Sequence, residues 1–286
     1  MTLTPLRVIT SAHQLASLAS RLRRAGKRVG LVPTMGALHE GHLALVRRAR
    51  RDTDVVIVTI FVNPLQFGPR EDYARYPRTL QQDLRLARGA GVDIVFTPSR
   101  REIYPPGFQM RLRAGPLAAR WEGAVRPGHF DGVVTVVAIL CQLTQPTDAY
   151  VGQKDYQQAR IIEQLIQDLR MPIRCHVCPT VREPDGLAMS SRNRSLSPQD
   201  RRRATALIHA LRAARARIRA GARHAASLKR QMDATLRRSG VRVDYAAVTD
   251  AETLEPLTRA RGRVALLVAA RVGRTRLIDN LLVDVP

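Results

Sequence analysis

The run Asp54-Val55-Val56-Ile57-Val58-Thr59-Ile60-Phe61-Val62 constrains this chain more than any other stretch. It is apolar after its first residue except for Thr59 and rich in β-branched side chains, as expected of a central parallel strand buried on both faces. Further strands are predicted over 29–33, 92–97, 148–151 and near 173–177. Helices are predicted over 41–51, 80–90, 133–143 and 155–169. Strands alternating with helices imply βαβ units, and hence a doubly wound α/β domain with helices on both faces of a parallel sheet. The pattern breaks over 179–198, where Pro184-Asp185-Gly186 marks a turn. Two long helices then follow, over 199–220 and 222–238. Strands over 241–249, 263–272 and 275–282 finish the chain, with Gly273 in the last hairpin. Grouped elements after alternating ones set the expected boundary: a Rossmann-like domain over 1–181 and a smaller α+β domain over 182–286.

At 286 residues the chain can bury substantial cores, and 45% apolar content with only 4% aromatic residues means cores of Leu, Val, Ile and Ala. No leader-like start and no apolar stretch near the ~20 residues of a membrane span is visible. The expectation is therefore a soluble, cytoplasmic protein with no membrane partner. Cys141, Cys175 and Cys178 are an odd count in a chain this long, which argues against a disulfide framework. Cys175-His176-Val177-Cys178 lacks a second ligand pair for zinc and lies in a predicted strand rather than at a helix start, so reduced structural cysteines are expected. The formal charge of +23, from 47 basic and 24 acidic residues, raises a nucleic-acid reading. The arginines scatter along helices without aromatic residues for base stacking, which favours solvated faces and no nucleic-acid partner. Lys27, Lys154 and Lys229 are the only lysines. Where arginine is the default cation, a lysine inside a motif suggests a site that wants a compact ammonium.

Thr34-Met35-Gly36-Ala37-Leu38-His39-Glu40-Gly41-His42 places two histidines where the first strand gives way to a helix. A zinc-binding H-E-x-x-H helix is excluded by spacing, since its ligands stand at i and i+4. Ordinary loop polarity is a second reading. The third, phosphate binding, fits the position best: the carboxyl end of a parallel strand, a glycine admitting close backbone approach, and the positive end of a helix. Such a site needs partners. Met189-Ser190-Ser191-Arg192 offers hydroxyls, backbone N–H groups and a guanidinium in the turn-rich segment, and Gly152-Gln153-Lys154-Asp155 puts a scarce lysine after another strand.

Together these motifs resemble the nucleotidylyltransferase superfamily, and more closely the pantothenate synthetase family within it. The resemblance extends to Phe61-Val62-Asn63-Pro64-Leu65-Gln66-Phe67, Tyr76-Pro77-Arg78, Arg126-Pro127-Gly128-His129-Phe130, Gly152 through Gln158, Pro179-Thr180-Val181-Arg182-Glu183 and Ser190-Ser191-Arg192-Asn193, all in family order over the N-terminal two-thirds. It implies the HxGH nucleotidylyltransferase type of Rossmann-like fold and an ATP-dependent joining of pantoate to β-alanine through pantoyl adenylate. The products would be pantothenate, AMP and pyrophosphate.

The resemblance assigns catalysis to His42, His39, Lys154 and Arg192. It assigns ATP binding to Met35, Gly36, Ala37, Leu38, His39, Glu40, Gly41, His42, Gly152, Gln153, Lys154, Asp155, Val181, Met189, Ser190, Ser191 and Arg192. Gln66 and Gln158 would hold pantoate's hydroxyls and carboxylate, with Asn63, Tyr76, Arg126 and His129 completing the pocket. Mg²⁺ would be carried mainly by substrate oxygens, with Asp83 as a candidate contributor. A homodimer is the implied assembly. Val151, Gln153 and Trp121 depart from the family's usual phenylalanine, glutamate and leucine, and the first two bear on nucleotide fit. Two alternatives are a phosphopantetheine or nicotinamide adenylyltransferase, opposed by the amides Gln66 and Gln158, and an RNA-binding protein with a synthetase-like core.

Overall fold

The computed structural model describes residues 6–68, 73, 74 and 76–285. Nine strands and ten α-helices follow in the order β1 (Arg7–Ile9), α1 (Ala12–Arg24), β2 (Val29–Thr34), α2 (Glu40–Asp52), β3 (Val55–Ile60), α3 (Leu80–Gly89), β4 (Ile94–Phe96), α4 (Arg100–Ile103), α5 (Glu122–Val125), α6 (His129–Thr144), β5 (Asp148–Gly152), α7 (Tyr156–Asp168), β6 (Arg174–Cys178), α8 (Pro198–Ala204), α9 (Ala206–Arg219), α10 (Ala225–Arg238), β7 (Arg242–Asp250), β8 (Arg263–Val272) and β9 (Thr275–Asp284) among the described residues. Two compact units contain them. One holds the residues up to Gly152 together with Gln158–Pro179; the other holds Gln153–Gln157 and the chain from Thr180 onward.

The first unit is the Rossmann-like α/β domain. Its six-stranded sheet runs β1-β4-β3-β2-β5-β6, and every pairing is parallel. Chain order reverses at β2, which pairs with β3 on one side and β5 on the other, so ligand crevices of doubly wound sheets open at this strand's carboxyl end. Alternating side chains fill two separate cores, as the pleat requires. Leu31, Ile57 and Phe96 pack with α1, α6 and α7 residues such as Leu15, Val133 and Ile162. Val32, Val56, Val58 and Val95 pack on the other face with Leu45, Val46 and Ala87 from α2 and α3. Cys175 joins the first core and Cys178 the second, as residues three apart on a strand should.

The smaller unit is α+β. Antiparallel β7-β8-β9 carries α9 and α10 on one face, with Leu207, Leu211, Ile218, Leu228, Met232 and Leu236 buried against Val264, Leu266 and Val268. Val272 pairs with Thr275 across the two-residue turn at Gly273, whose φ of 56° is the left-handed value such turns require.

Three expectations are corrected. The helix predicted over 199–220 is two, meeting at Thr205, where ψ opens to −16° and the hydroxyl donates to the Arg202 carbonyl at 2.8 Å. The next helix starts at Ala225 rather than 222. The preceding residues pair instead with 258–260, through Ala260 N to Arg223 O at 2.7 Å and Ala225 N to Thr258 O at 3.0 Å. The strand predicted over 92–97 keeps only Ile94–Phe96, the residues flanked by both β1 and β3. β1 and α1 have no counterpart among the predicted elements.

Candidate active site

In the first unit the loop after β2 is held by side-chain bonds rather than by strand or helix. Thr34 Oγ1 donates to the Thr59 carbonyl at 2.7 Å and accepts from Gly36 N at 3.1 Å. Gly36 has φ 81°, and a Cβ there would lie 2.9 Å from Ile60 Cγ2 and 3.0 Å from Asp83 Oδ2, so only glycine fits. Ala37 adopts φ 50°, unfavourable for an L-residue with a Cβ. Asp83, 1% exposed, holds it there. Oδ2 accepts from Ala37 N at 3.0 Å, and Oδ1 accepts from Leu38 N at 2.8 Å and Thr79 Oγ1 at 3.1 Å. The candidate magnesium contributor is thus an internal anchor with both oxygens engaged.

The loop delivers His39 to the N-cap of α2. His39 Nδ1 accepts from Gly41 N at 3.1 Å, and His42 Nδ1 accepts from His39 N at 3.3 Å. An amide only donates, so both Nδ1 atoms present lone pairs and each neutral ring carries its proton on Nε2. The rings lie 4.1 Å apart, centroid to centroid. A helix N-terminus with two imidazole N–H donors beside it is chemically suited to an anion. Glu40 pairs with Arg47 on the same helix and is half exposed.

Gln66 is the centre of a second network in this unit. Its Oε1 accepts from Asn63 Nδ2 at 3.1 Å and its Nε2 meets Met35 Sδ at 3.0 Å. Asn63 is 1% exposed and fully engaged: Nδ2 also donates to Gly132 O at 3.0 Å, while Oδ1 accepts from Tyr104 O–H at 2.8 Å and Leu65 N at 3.2 Å. His129 Nδ1 lies 2.7 Å from Gln66 O, and its Nε2 lies 3.0 Å from Arg126 Nη1. A carbonyl only accepts and a guanidinium only donates, so His129 is the neutral Nδ1–H tautomer. Asn63, Arg126 and His129 thereby converge on Gln66, with Asn63 bonded to it rather than opening outward. Tyr76 packs edge-on against Phe67 at 5.9 Å, Gly152 closes β5, and Gln158 is half-buried in the first turn of α7.

Two contributors escaped the sequence reading. Burial drives the Tyr104 hydroxyl's pKa upward, so it stays a donor to Asn63; a tyrosine in an aromatic-poor chain was the available signal. Gly132 lets α6 touch the turn Pro64–Gln66, since a Cβ there would lie 2.3 Å from the Leu65 carbonyl oxygen. The network of Asp148, His176 and Arg174 toward the other end of β5 and β6 is separate. Burial alone would raise the Asp148 carboxyl, but hydrogen bonds from His176 at 2.8 Å and Thr147 at 2.7 Å, with Arg174, hold it below its ordinary value. Cys141 and Cys175 are pushed up to about 12 by burial, so neither thiol is a nucleophile near neutrality.

In the second unit, Lys154 lies in the turn Gln153–Asp155 and pairs with the half-exposed Asp155 at 3.4 Å. Val181 and Met189 are joined by Met189 N to Val181 O at 3.0 Å. Ser190 caps the short turn Ser191–Ser195 by accepting from Arg192 N at 3.3 Å, leaving the Arg192 side chain exposed. Asn193 fastens this loop to Glu183 Oε1 at 2.7 Å, and Arg201 grips Glu183 at 2.7 Å and Asp185 at 2.8 Å. The Arg201 bond is the main cause holding the Glu183 carboxyl low. Among the described residues no group of three or more His, Cys, Asp or Glu forms a metal site, and no helix is long and apolar enough to cross a membrane.

The family model for pantoate-β-alanine ligase matches residues 7–282. The chain is 53% identical over 264 residues to the pantothenate synthetase of Moorella thermoacetica, covering 92% of this chain and 93% of that one. Its fold is similar to the crystal structure of pantothenate synthetase from Thermus thermophilus, with a TM-score of 0.91, 49% identity, and 96% and 98% of the two chains covered. The pantoate-β-alanine ligase of Francisella tularensis, solved in complex with β-γ ATP and β-alanine, superposes with a TM-score of 0.80 at 37% identity over 97% of each chain.

Proposed function

Because the chain belongs to the pantoate-β-alanine ligase family, an ATP-dependent class of acid–amine ligase, we propose that it works through a pantoyl adenylate with the residues described above. In the first step the pantoate carboxylate attacks the α-phosphorus of ATP, and the bond to pyrophosphate breaks. In the second, the amine of β-alanine attacks the acyl carbon; the acyl–phosphate bond breaks, AMP leaves and the amine loses a proton. The first step is an in-line displacement in which positioning and charge neutralisation supply most of the rate.

The observation that carries this reading is the tautomer fixed in both motif histidines. His39 and His42 spend their Nδ1 lone pairs on the start of α2, which makes Nε2–H the donor each has for phosphate oxygen. Donation strengthens as negative charge gathers in the transition state. Lys154, Ser190, Ser191 and Arg192 supply the remaining phosphate contacts, and Val181 and Met189 flank the nucleotide. Magnesium enters with the nucleotide as MgATP, held by phosphate oxygens, since Asp83 is engaged by the loop. Gln66 and Gln158 take pantoate's hydroxyls and carboxylate; amides both donate and accept, which suits a hydroxy acid and disfavours a phosphorylated substrate. Arg126 and His129 hold Gln66 by its carbonyl. The reading includes a cytoplasmic homodimer: free cysteines suit a reducing compartment, and Met110 is 81% exposed outside any helix or strand.

The test is an assay with purified protein. AMP should form only with ATP, pantoate and β-alanine all present, and pyrophosphate should be released with pantoate alone. AMP formation that ignores pantoate would overturn the substrate assignment.

A further inference from the structure

Asn280 lies on β9 and is 2% exposed, in a strand whose neighbouring residues Leu277, Ile278, Leu281, Leu282 and Val283 are aliphatic. A buried amide is costly unless its donors and acceptor are met. Asn280 meets them in the turn that carries Lys154. Nδ2 donates to the carbonyls of Gln153 at 2.8 Å and Lys154 at 2.9 Å, and Oδ1 accepts from Gln153 Nε2 at 3.3 Å. Its own backbone N–H donates to Asp279 Oδ1 at 2.8 Å. Asp279, 3% exposed, receives both terminal nitrogens of Arg182, at 2.7 and 2.9 Å. A third tie is Tyr156 O–H to the Ala251 carbonyl at 2.7 Å. These bonds account for the grouping of Gln153–Gln157 with the second unit rather than with β5, which they follow in sequence.

A lysine ammonium rides on a stem with many rotamers, so the protein sets its reach chiefly by fixing the backbone beneath it. Two carbonyls bound by one amide fix both peptide planes of the turn. We propose that Asn280 is a positioning residue that holds the Gln153–Lys154 backbone so that the Lys154 ammonium meets the phosphates of ATP; this rests on the phosphate role given to Lys154 above. The same geometry assigns the Gln153 side chain to Asn280 rather than to nucleotide.

The experiment is a double-mutant cycle on the full chain, comparing wild type, Lys154→Ala, Asn280→Ala and the double variant, with thermal unfolding measured alongside initial rates. Asn280→Asp is added because it keeps the shape and one acceptor but removes the donor to both carbonyls. Asn280→Ala and Asn280→Asp should each lower kcat/KM for ATP about tenfold while KM for β-alanine stays within about twofold, the pattern of a misplaced rather than missing group. In the Lys154→Ala background, Asn280→Ala should cost less than about twofold, because the two residues act as a unit. Full activity of Lys154→Ala would end the phosphate reading itself. An impaired Lys154→Ala with equal Asn280→Ala losses in both backgrounds would overturn only the positioning role. Native rates in both Asn280 variants, or unfolding of both, would overturn it as well.

Discussion

Replacing Asp83 by asparagine separates an anchor from a metal ligand. The carboxylate receives three donors, Ala37 N, Leu38 N and Thr79 Oγ1, and is 1% exposed. An asparagine of the same shape keeps one oxygen and turns an NH₂ toward a backbone N–H that has no other acceptor in that network. A hydrogen bond to a charged group is worth about 1.5–3 kcal/mol, and a buried orphan N–H costs about 1–3 kcal/mol. The two together predict a loss of about 2.5–6 kcal/mol. For a chain of this size Tm falls roughly 2–4 °C per kcal/mol, so a drop on the order of 10 °C is expected. The strained Ala37 would relax once released, and its loop leads directly into His39, the N-cap of α2, and His42 in that helix's first turn. We therefore expect kcat to fall ~10-fold or more, on the scale of small misplacements of catalytic groups. The assay is a thermal melt paired with initial rates across a Mg²⁺ titration. An anchor leaves the Mg²⁺ dependence unchanged. A native Tm with activity restored at ~10-fold higher Mg²⁺ would refute the anchoring argument and make Asp83 a metal ligand.

His42→Ala should lower kcat by ~10²-fold or more, the scale of one lost transition-state donor; near-normal turnover in the ligation assay would remove it from the chemistry. Gly132→Ala places a Cβ 2.3 Å from the Leu65 carbonyl oxygen and must push the turn bearing Gln66. Its expected signature is a KM for pantoate raised ~10-fold with a small change in KM for ATP, and an unchanged pantoate KM would count against the role of Gln66. Glu183 is held below its ordinary 4.5 by Arg201 first, and Asp185 lies below 3.8, where burial opposes but the Leu187 N–H and Arg201 prevail. A depressed carboxylate stabilises the fold above its unfolded pKa, and that share is lost as pH falls through the folded value. Arg201→Ala should therefore cost stability most at neutral pH, where both carboxylates are ionised, and progressively less as pH falls through the window below about pH 4.5, shifting and flattening the acid limb of the stability curve. An unshifted acid limb, followed by circular dichroism, would contradict that linkage.

What the sequence made legible follows from which interactions are local. The run at 54–62 and its alternation with helices report burial on a parallel sheet, and the strand predicted over 263–272 coincides with β8 because a near-continuous apolar run ends there at the turn glycine Gly273. The helix α1 was readable too: Ser11 caps it and Leu15, Leu18, Ala19 and Leu22 repeat at helical spacing, although no element was predicted before residue 29. The break at Thr205 was not legible, since its neighbours favour helix and a single residue with ψ of −16° separates α8 from α9. The site divides the same way. Histidines, serines and the scarce lysine declare themselves by type and spacing, whereas their supports are separated in sequence: Asp83 lies 46 residues from Ala37, Asn63 lies 69 from Gly132, and Asn280 lies 127 from Gln153. Each support is a buried polar side chain whose cost is met in part by a backbone group distant in sequence. A polar pair such as Asp279-Asn280 inside an aliphatic strand is the trace such a support leaves in sequence. It shows that a partner must exist without naming it, because one amide satisfies any well-placed carbonyl equally well. Side-chain identity thus carries the chemistry of this site, and topology alone decides which residues hold that chemistry in place.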